Sequence, residues 1–149
     1  MNNEASACTI LCKSFCKQGS WAYKIPDPTA LFTQTVPRPF DIIAVKGSSY
    51  YIEVKYLNKM ESFNLQRIED HQIASLLDIK QRNPEAVCWI VLAVKVGRGD
   101  NRFYLFKDIF DINNRRILKK NFLKKELETL NYYKVKNDLI DLSDVLATK

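Results

Sequence analysis

Residues 86–96 form an almost continuous apolar run near the middle of the chain. Such a run is typical of a central strand, because a strand that is covered on both faces needs apolar side chains on both. Residues 102–107 are predicted to pair beside it after a turn over 97–101. This part of the chain therefore predicts a sheet with helices packed on each of its faces.

Helical periodicity occurs before and after the predicted strands. A short strand over 21–25 and two β-rich segments at 40–45 and 50–57 complete the pattern. The resulting order predicts one domain over 1–149, with an α/β fold in which a mixed central β-sheet is flanked by helices. The predicted helices cover 2–17, 67–81, 118–130 and 139–146.

Composition narrows the class of protein. The chain has 149 residues, of which 46% are hydrophobic and 27% charged, and this balance excludes global disorder and low complexity. It contains no apolar run near the roughly 20 residues that cross a bilayer, and its N-terminus lacks a signal-peptide pattern. We expect a cytoplasmic protein without a membrane partner.

The net charge of +6 favours a polyanionic partner such as nucleic acid, with surface charge kept for solubility as the alternative.

Three of the four cysteines recur at every fourth position, at Cys8, Cys12 and Cys16. This spacing places them along one face of the first helix, whereas Cys88 falls in the apolar run. One helix stripe does not supply four tetrahedral zinc ligands, and disulfides are uncommon in the cytosol. We therefore expect packing roles for all four.

The two β-rich segments flank residues 46–49 and predict a β-hairpin. On its second strand, Glu53 and Lys55 share one face, and Ile52 and Val54 lie on the other. Asp41 shares the charged face only if the hairpin connection has an odd number of residues, for example 46–48, which pairs Asp41 with Glu53. A two-residue connection would turn Asp41 away unless a bulge restored it.

Opposed carboxylates repel each other, so this arrangement favours a divalent cation between Asp41 and Glu53. Lys55 would then orient the attacking water or stabilise charge on a scissile phosphate. The alternative is a solvated cross-strand ion cluster with no chemical role. Three charges that converge within a β-branched, aromatic hairpin favour the first interpretation.

Two further polar residues lie on predicted helix stripes that face the core. Glu4 precedes Cys8 by four residues, and a carboxylate facing inward needs a partner or a metal. Gln72 lies among apolar residues, which indicates an amide with a partner near the site or a structural hydrogen bond. For His71, capping, packing or a phosphate contact is favoured over catalysis.

Four segments then resemble the PD-(D/E)xK nucleases, and among them the RecU-like Holliday junction resolvases. They read KIPDP, FDIIAVKGSSYYIEVKYLN, SFNLQRIEDHQIASL and AVCWIVLAV, and together they span residues 24 to about 94. The resemblance implies a restriction-endonuclease-like fold, with the chain as a single nuclease domain. It also implies a metal-dependent endodeoxyribonuclease that cuts four-way DNA junctions, acts as a homodimer and uses no organic cofactor.

The resemblance also implies roles for individual residues. Asp41 and Glu53 are expected to bind Mg²⁺ or Mn²⁺, and Lys55 to assist catalysis. Glu4 takes the place of a first-helix glutamate that approaches the metal in archaeal and phage resolvases. Gln72 corresponds to the glutamine of the DHQ segment and is expected to support catalysis.

Basic residues around the hairpin are predicted to contact DNA phosphates. Tyr50, Tyr51 and Tyr56 either stack on unpaired bases or pack within the sheet. The predicted phosphate contacts are Lys13, Lys17, Lys24, Arg38, Lys46, Lys59 and Arg67.

One departure from the RecU-like pattern concerns the substrate. Only a dozen residues separate Pro28 from Asp41, so the stalk that precedes the catalytic Asp in cellular RecU proteins is short here. Two alternatives to junction resolution therefore stay open: an endonuclease of the same fold acting on other DNA, and a DNA-binding protein without nuclease activity.

Overall fold

The computed structural model describes residues 1–26 and 37–146. Its centre is a six-stranded mixed sheet in which the strands follow one another in chain order. The predicted mixed sheet flanked by helices is confirmed. The helices are α1 (Glu4–Lys17), α2 (Asp70–Arg82), α3 (Ile109–Ile117), α4 (Lys124–Leu127) and α5 (Ser143–Leu146), and the strands are β1 (Trp21–Lys24), β2 (Ile42–Lys46), β3 (Ser48–Leu57), β4 (Val87–Gly97), β5 (Asp100–Phe106) and β6 (Tyr133–Lys134).

Strands β3 and β4 run parallel, whereas the other neighbouring pairs are antiparallel. A parallel pair needs a crossover, and α2 supplies it by returning the chain to the start of β4. Side chains of β4 alternate between two buried clusters, one beneath α1 and one beneath α2 and α3. The prediction of a central strand covered on both faces is therefore confirmed.

Helix α1 begins where Asn3 caps it, because the Asn3 side chain accepts a hydrogen bond from the Ser6 N–H at 2.8 Å. It ends before Gly19, whose φ of +82° is the left-handed conformation that glycine adopts without strain. Both ends agree with the predicted helix over 2–17. The first turn, which carries Glu4, is thereby held at the end of the sheet where β2 begins.

Helix α2 starts three residues later than predicted. Glu69 has extended backbone, and its N–H donates to Gln72 Oε1 at 3.0 Å, which defines the start of the helix. Arg67, predicted as its first residue, instead ends a separate 3₁₀ turn over Leu65–Arg67. Asn83 ends the helix as expected.

The predicted helix over 118–130 is wrong. The Asp108 side chain accepts hydrogen bonds from the N–H groups of Phe110 and Asp111, so α3 begins before this segment and ends at Ile117. Lys119 then adopts a left-handed φ of 57°, and Phe122 pairs with Phe63 in an isolated bridge. Within 118–130, only Lys124–Leu127 is α-helical.

The C-terminal region also departs from the prediction. The helix predicted over 139–146 is reduced to the single turn of α5, and the short strand β6 was not predicted. Ile140 and Leu142 are buried in the cluster beneath α1, and the Ile140 N–H donates to the Ser14 hydroxyl at 3.0 Å. This contact with α1 gives the Ile140 N–H a partner outside a helix.

Most of the predicted short stalk segment, residues 27–36, lies outside the described residues. Within 1–26 and 37–146, no helix is both long enough and apolar enough to span a membrane.

Candidate metal centre

The β2–β3 hairpin sets the position of the central acidic pair. Lys46 is in register with Ser48, so Gly47 alone forms the tip, and Ile42 is in register with Ile52. An odd-numbered connection was the condition for Asp41 to reach the face of Glu53, and this condition is met. Asp41 lies one residue before β2, beside Glu53 of β3.

Three carboxylates converge here from α1, β3 and the residue that precedes β2. Oxygens of Glu4, Asp41 and Glu53 all lie within 4.8 Å of one another. Asp41 and Glu53 are buried, with 2% and 1% of their surfaces exposed, whereas Glu4 is partly exposed. The inward orientation predicted for Glu4 from its spacing to Cys8 is therefore present, and the cluster keeps one side open to solvent.

Two hydrogen-bonding contacts hold the Asp41 carboxylate in place. Its Oδ2 accepts the N–H of Val54 at 2.8 Å, and its Oδ1 lies 2.9 Å from Nη2 of Arg38. The Asp41 backbone is also fixed, because its N–H donates to the carbonyl of Ile52 and its carbonyl accepts the N–H of Ile25. The carboxylate is thus preorganised between β1 and β3.

Only one of the two carboxylate oxygens of Glu53 has a partner among the described residues. Its Oε2 lies 3.1 Å from Nζ of Lys55, and its Oε1 is buried without a hydrogen-bond partner among the described residues. Burial, together with the negative charge of Asp41, raises the pKa of Glu53 to about 8, although Lys55 acts in the opposite direction. A cation beside Oε1 would relieve both the desolvation and the repulsion.

The residues present fit a divalent cation of the Mg²⁺ or Mn²⁺ type. The three side chains offer only carboxylate oxygens, the ligands that these hard cations prefer. The unpartnered Glu53 Oε1 gives a second reason, since buried acceptors in proteins are normally satisfied. Glu4, Asp41 and Glu53 are therefore the residues that would hold the ion, and Lys55 is the adjacent cationic group.

Arg38 and His71 were not predicted to organise the acidic cluster. The Arg38 guanidinium contacts Asp41 and donates from Nη1 to the Ile25 carbonyl at 3.3 Å. His71 Nε2 lies 3.1 Å from the Arg38 carbonyl, which can only accept, so this nitrogen carries the proton. The i,i+3 spacing of Arg38 and Asp41 was the available signal, but spacing alone does not indicate that the side chain turns inward.

Gln72 is buried on α2 as predicted, with 7% of its surface exposed. Its Oε1 accepts the Glu69 N–H that begins the helix. This is the structural hydrogen bond that the sequence left open as the alternative, and support of catalysis by Gln72 stays a prediction.

The other residues predicted to bind DNA are spread over the surface. Lys24 ends β1 in register with Ile42, next to Asp41. Lys46 lies at the hairpin tip, about 16 Å along β2 from Asp41 by the strand rise, and binds the Gln18 carbonyl. The remaining four residues, Lys13, Lys17, Lys59 and Arg67, are exposed on α1 and on the segment that follows β3.

The tyrosines of β3 have packing roles. Tyr50 is buried, with its ring centroid 5.5 Å from that of Phe15 and 5.3 Å from that of Trp89. Tyr51 meets Phe40 edge to face at 5.4 Å, and Tyr56 packs against the cluster beneath α1. The packing interpretation is therefore confirmed.

The cysteines carry free thiols that differ in exposure. Cys8 and Cys88 are buried, Cys12 is half-buried and Cys16 is exposed. Burial raises the pKa of the Cys8 thiol well above its usual range, and the nearby charges of Asp41 and Glu53 add to this effect. The packing role predicted for Cys16 is wrong, because this thiol lies at the solvent-facing end of the stripe.

No protein-family model matches the sequence, and neither does any curated protein. Among solved structures, the chain is similar to Hjc of Archaeoglobus fulgidus, a Holliday junction resolvase from an archaeal hyperthermophile. The two share 22% sequence identity over 63% of this chain and 69% of that chain, with a TM-score of 0.40.

Proposed function

We propose that this chain is a metal-dependent endodeoxyribonuclease that resolves four-way DNA junctions. The observation that carries the proposal is the convergence of Glu4, Asp41 and Glu53 within 4.8 Å, with Lys55 against Glu53. A buried carboxylate group of this kind costs free energy, which is recovered when a cation binds. The same feature argues against a solvated ion cluster, since Asp41 and Glu53 are almost fully buried.

Each residue has a distinct part in the proposed reaction. Glu4, Asp41 and Glu53 bind Mg²⁺ or Mn²⁺, which supplies Lewis acidity and a more acidic water when bound. Lys55 is close enough to the carboxylates to orient the attacking water or to stabilise the negative charge that grows on the phosphate. Gln72 fixes the start of α2 next to His71 and so supports the backbone around the site.

The RecU-like resemblance of the sequence favours a junction as substrate. A four-way junction is symmetric and needs two cuts, so we propose that the chain acts as one nuclease domain within a homodimer. The net charge of +6 is consistent with a polyanionic partner.

Cleavage of a labelled four-way junction against linear duplex of the same sequence tests the proposal. The reactions use Mg²⁺ or a chelator, with wild type, Asp41→Asn and the exposed control Asp78→Asn. We expect paired symmetric cuts that need both metal and Asp41, with the control as active as wild type. Equal cleavage of linear duplex would point to a different DNA substrate, and metal-independent binding without cutting would point to a binding protein.

A further inference from the structure

Arg38 occupies an unusual place for a residue of a phosphate-binding surface. Its guanidinium reaches the buried Asp41 Oδ1 at 2.9 Å, and 21% of the Arg38 side chain is exposed. The same group contacts the Ile25 carbonyl at the end of β1. Arg38 therefore lies between the acidic cluster and solvent.

The Arg38 backbone is held independently of its side chain. Pro37 and Pro39 flank it, and a residue before proline is restricted to extended conformations. His71 on α2 donates a hydrogen bond to its carbonyl. The guanidinium can thus change partners by side-chain rotation while the main chain stays in place.

The formal charges around the cluster indicate which event would move the Arg38 guanidinium away from Asp41. Among the described residues, the three carboxylates contact two cationic side chains, Lys55 and Arg38, and with all five groups ionised their formal charges sum to one negative charge. A divalent ion would convert this into an excess of one positive charge. A single phosphodiester would neutralise that excess, and a guanidinium binds phosphate oxygens well.

We propose that Arg38 is a movable counter-cation of the metal centre: it pairs with Asp41 while the site lacks metal, and passes to the phosphodiester of the substrate once a divalent ion binds. This inference rests on the proposed function. It makes Arg38 a competitor of the ion for Asp41. Metal and DNA binding then strengthen each other, because the metal releases Arg38 for the phosphodiester and the phosphodiester draws Arg38 away from Asp41.

A purely structural role predicts the opposite effect on metal affinity. If Arg38 only held Asp41 in position, its removal would loosen the carboxylate and weaken metal binding. If it competes with the ion, its removal strengthens metal binding. The sign of the change in affinity therefore separates the two roles without any measurement of activity.

The experiment is calorimetric titration of Mn²⁺ into wild type, Arg38→Gln and Arg38→Lys in the absence of DNA. We expect Arg38→Gln to bind Mn²⁺ about twofold to fivefold more tightly, the effect of losing one partly exposed charged contact. Arg38→Lys should fall between that variant and wild type, because a lysine reaches Asp41 without the planar fork. Equal or weaker binding by both variants would overturn the inference.

Arg98→Gln is the matched control, since Arg98 is exposed in the β4–β5 turn, six residues beyond the position in register with Lys55. It removes the same charge and should leave Mn²⁺ affinity unchanged. If Arg38→Gln does not fold, the order of Arg38→Lys and wild type still decides between the two roles. A wild type that binds Mn²⁺ no better than Asp41→Asn overturns the proposed function as well.

Coupling to DNA is the second readout. In a Lys55→Met background, in which we expect cutting to be slow, a four-way junction should tighten Mn²⁺ binding, and Arg38→Gln in the same background should abolish that gain. A gain of the same size in both proteins would overturn the passage of Arg38 to the phosphodiester.

Discussion

Nζ of Lys55 lies 3.1 Å from Oε2 of Glu53, and both side chains project from the same face of β3 into a nearly closed space. Alternation along the strand places them together, while Ile52 and Val54 are buried on the opposite face beneath α1. The contact leaves Glu53 Oε1 unpartnered, so the pair is arranged around the place where we expect the cation.

Lys55→Met separates cleavage from metal binding. We expect the cleavage rate to fall by about a hundredfold to a thousandfold, the typical cost of removing one group that stabilises transition-state charge. Mn²⁺ affinity should not fall, because the substitution removes a cation next to Glu53. Single-turnover cleavage and calorimetry measure the two effects, and Lys125→Met on α4 is the exposed control. A joint loss of metal binding and cleavage would contradict the assigned role.

Glu4→Gln tests the third ligand. We expect weaker Mn²⁺ binding and a loss of at most about 1 kcal/mol in the free energy of unfolding, because Glu4 also carries a favourable charge in the first turn of α1. Titration calorimetry and urea unfolding give the two values. Unchanged Mn²⁺ affinity would show that Glu4 does not bind the ion.

The stability of the metal-free protein should depend on the protonation of Glu53. The pKa of Glu53 is raised from 4.5 to about 8 by burial and by Asp41, so the folded state holds this proton more tightly than the unfolded state. The contribution is complete below pH 4.5 and is lost as the pH rises through about 8. Urea unfolding in chelator between these values should show the decline in wild type.

Glu53→Gln is the comparison for that measurement, because glutamine does not titrate. We expect the free energy of unfolding of this variant to decline less over the same pH range. Identical pH profiles of the two proteins would show that Glu53 does not carry the raised pKa.

Substitutions of Gln72 distinguish its structural role from a part in catalysis. Gln72→Leu removes the acceptor of the Glu69 N–H and should lower the free energy of unfolding by about 1–2 kcal/mol. Gln72→Glu keeps an acceptor and should recover most of this loss. If cleavage also recovers in Gln72→Glu, Gln72 contributes to activity only by fixing the start of α2. A Gln72→Glu protein that is stable but inactive would support catalysis by the amide.

Thiol alkylation should follow exposure. We expect Cys16 to react first, followed by Cys12, whose pKa is raised by burial to about 11. Cys88, with a pKa raised to about 11, and buried Cys8 should react only after unfolding. Mass spectrometry after timed exposure to iodoacetamide gives the order, and early modification of Cys8 would contradict it.

Much of the sheet could be predicted because its signals are local. The apolar run over 86–96 and the alternation around Glu53 depend on burial and pleat, which act over a few residues. The alternation of side chains also gave the condition under which Asp41 shares a face with Glu53, namely a hairpin connection with an odd number of residues. Each of these features is decided by residues that lie close together in the sequence.

The errors arose where contacts distant in sequence decide the structure. Phe122 pairs with Phe63, and Ile140 binds Ser14 across more than a hundred residues, so helical periodicity in those segments was misleading. The inward turn of Arg38 was missed for the same reason, because it depends on Ile25 and on His71 of α2. Nothing in the spacing of a lone arginine indicates such partners.

The one-residue tip at Gly47 has a consequence for variation in chain length. Asp41 and Glu53 share a face because the connection between their strands has an odd number of residues. Inserting or deleting one residue between Asp41 and Glu53 would move one carboxylate to the opposite face, unless a bulge absorbed the change. Two residues could be added at the tip without that effect. Because side chains alternate between the faces of a strand, the length of this segment is constrained as strictly as the identity of its two acidic residues.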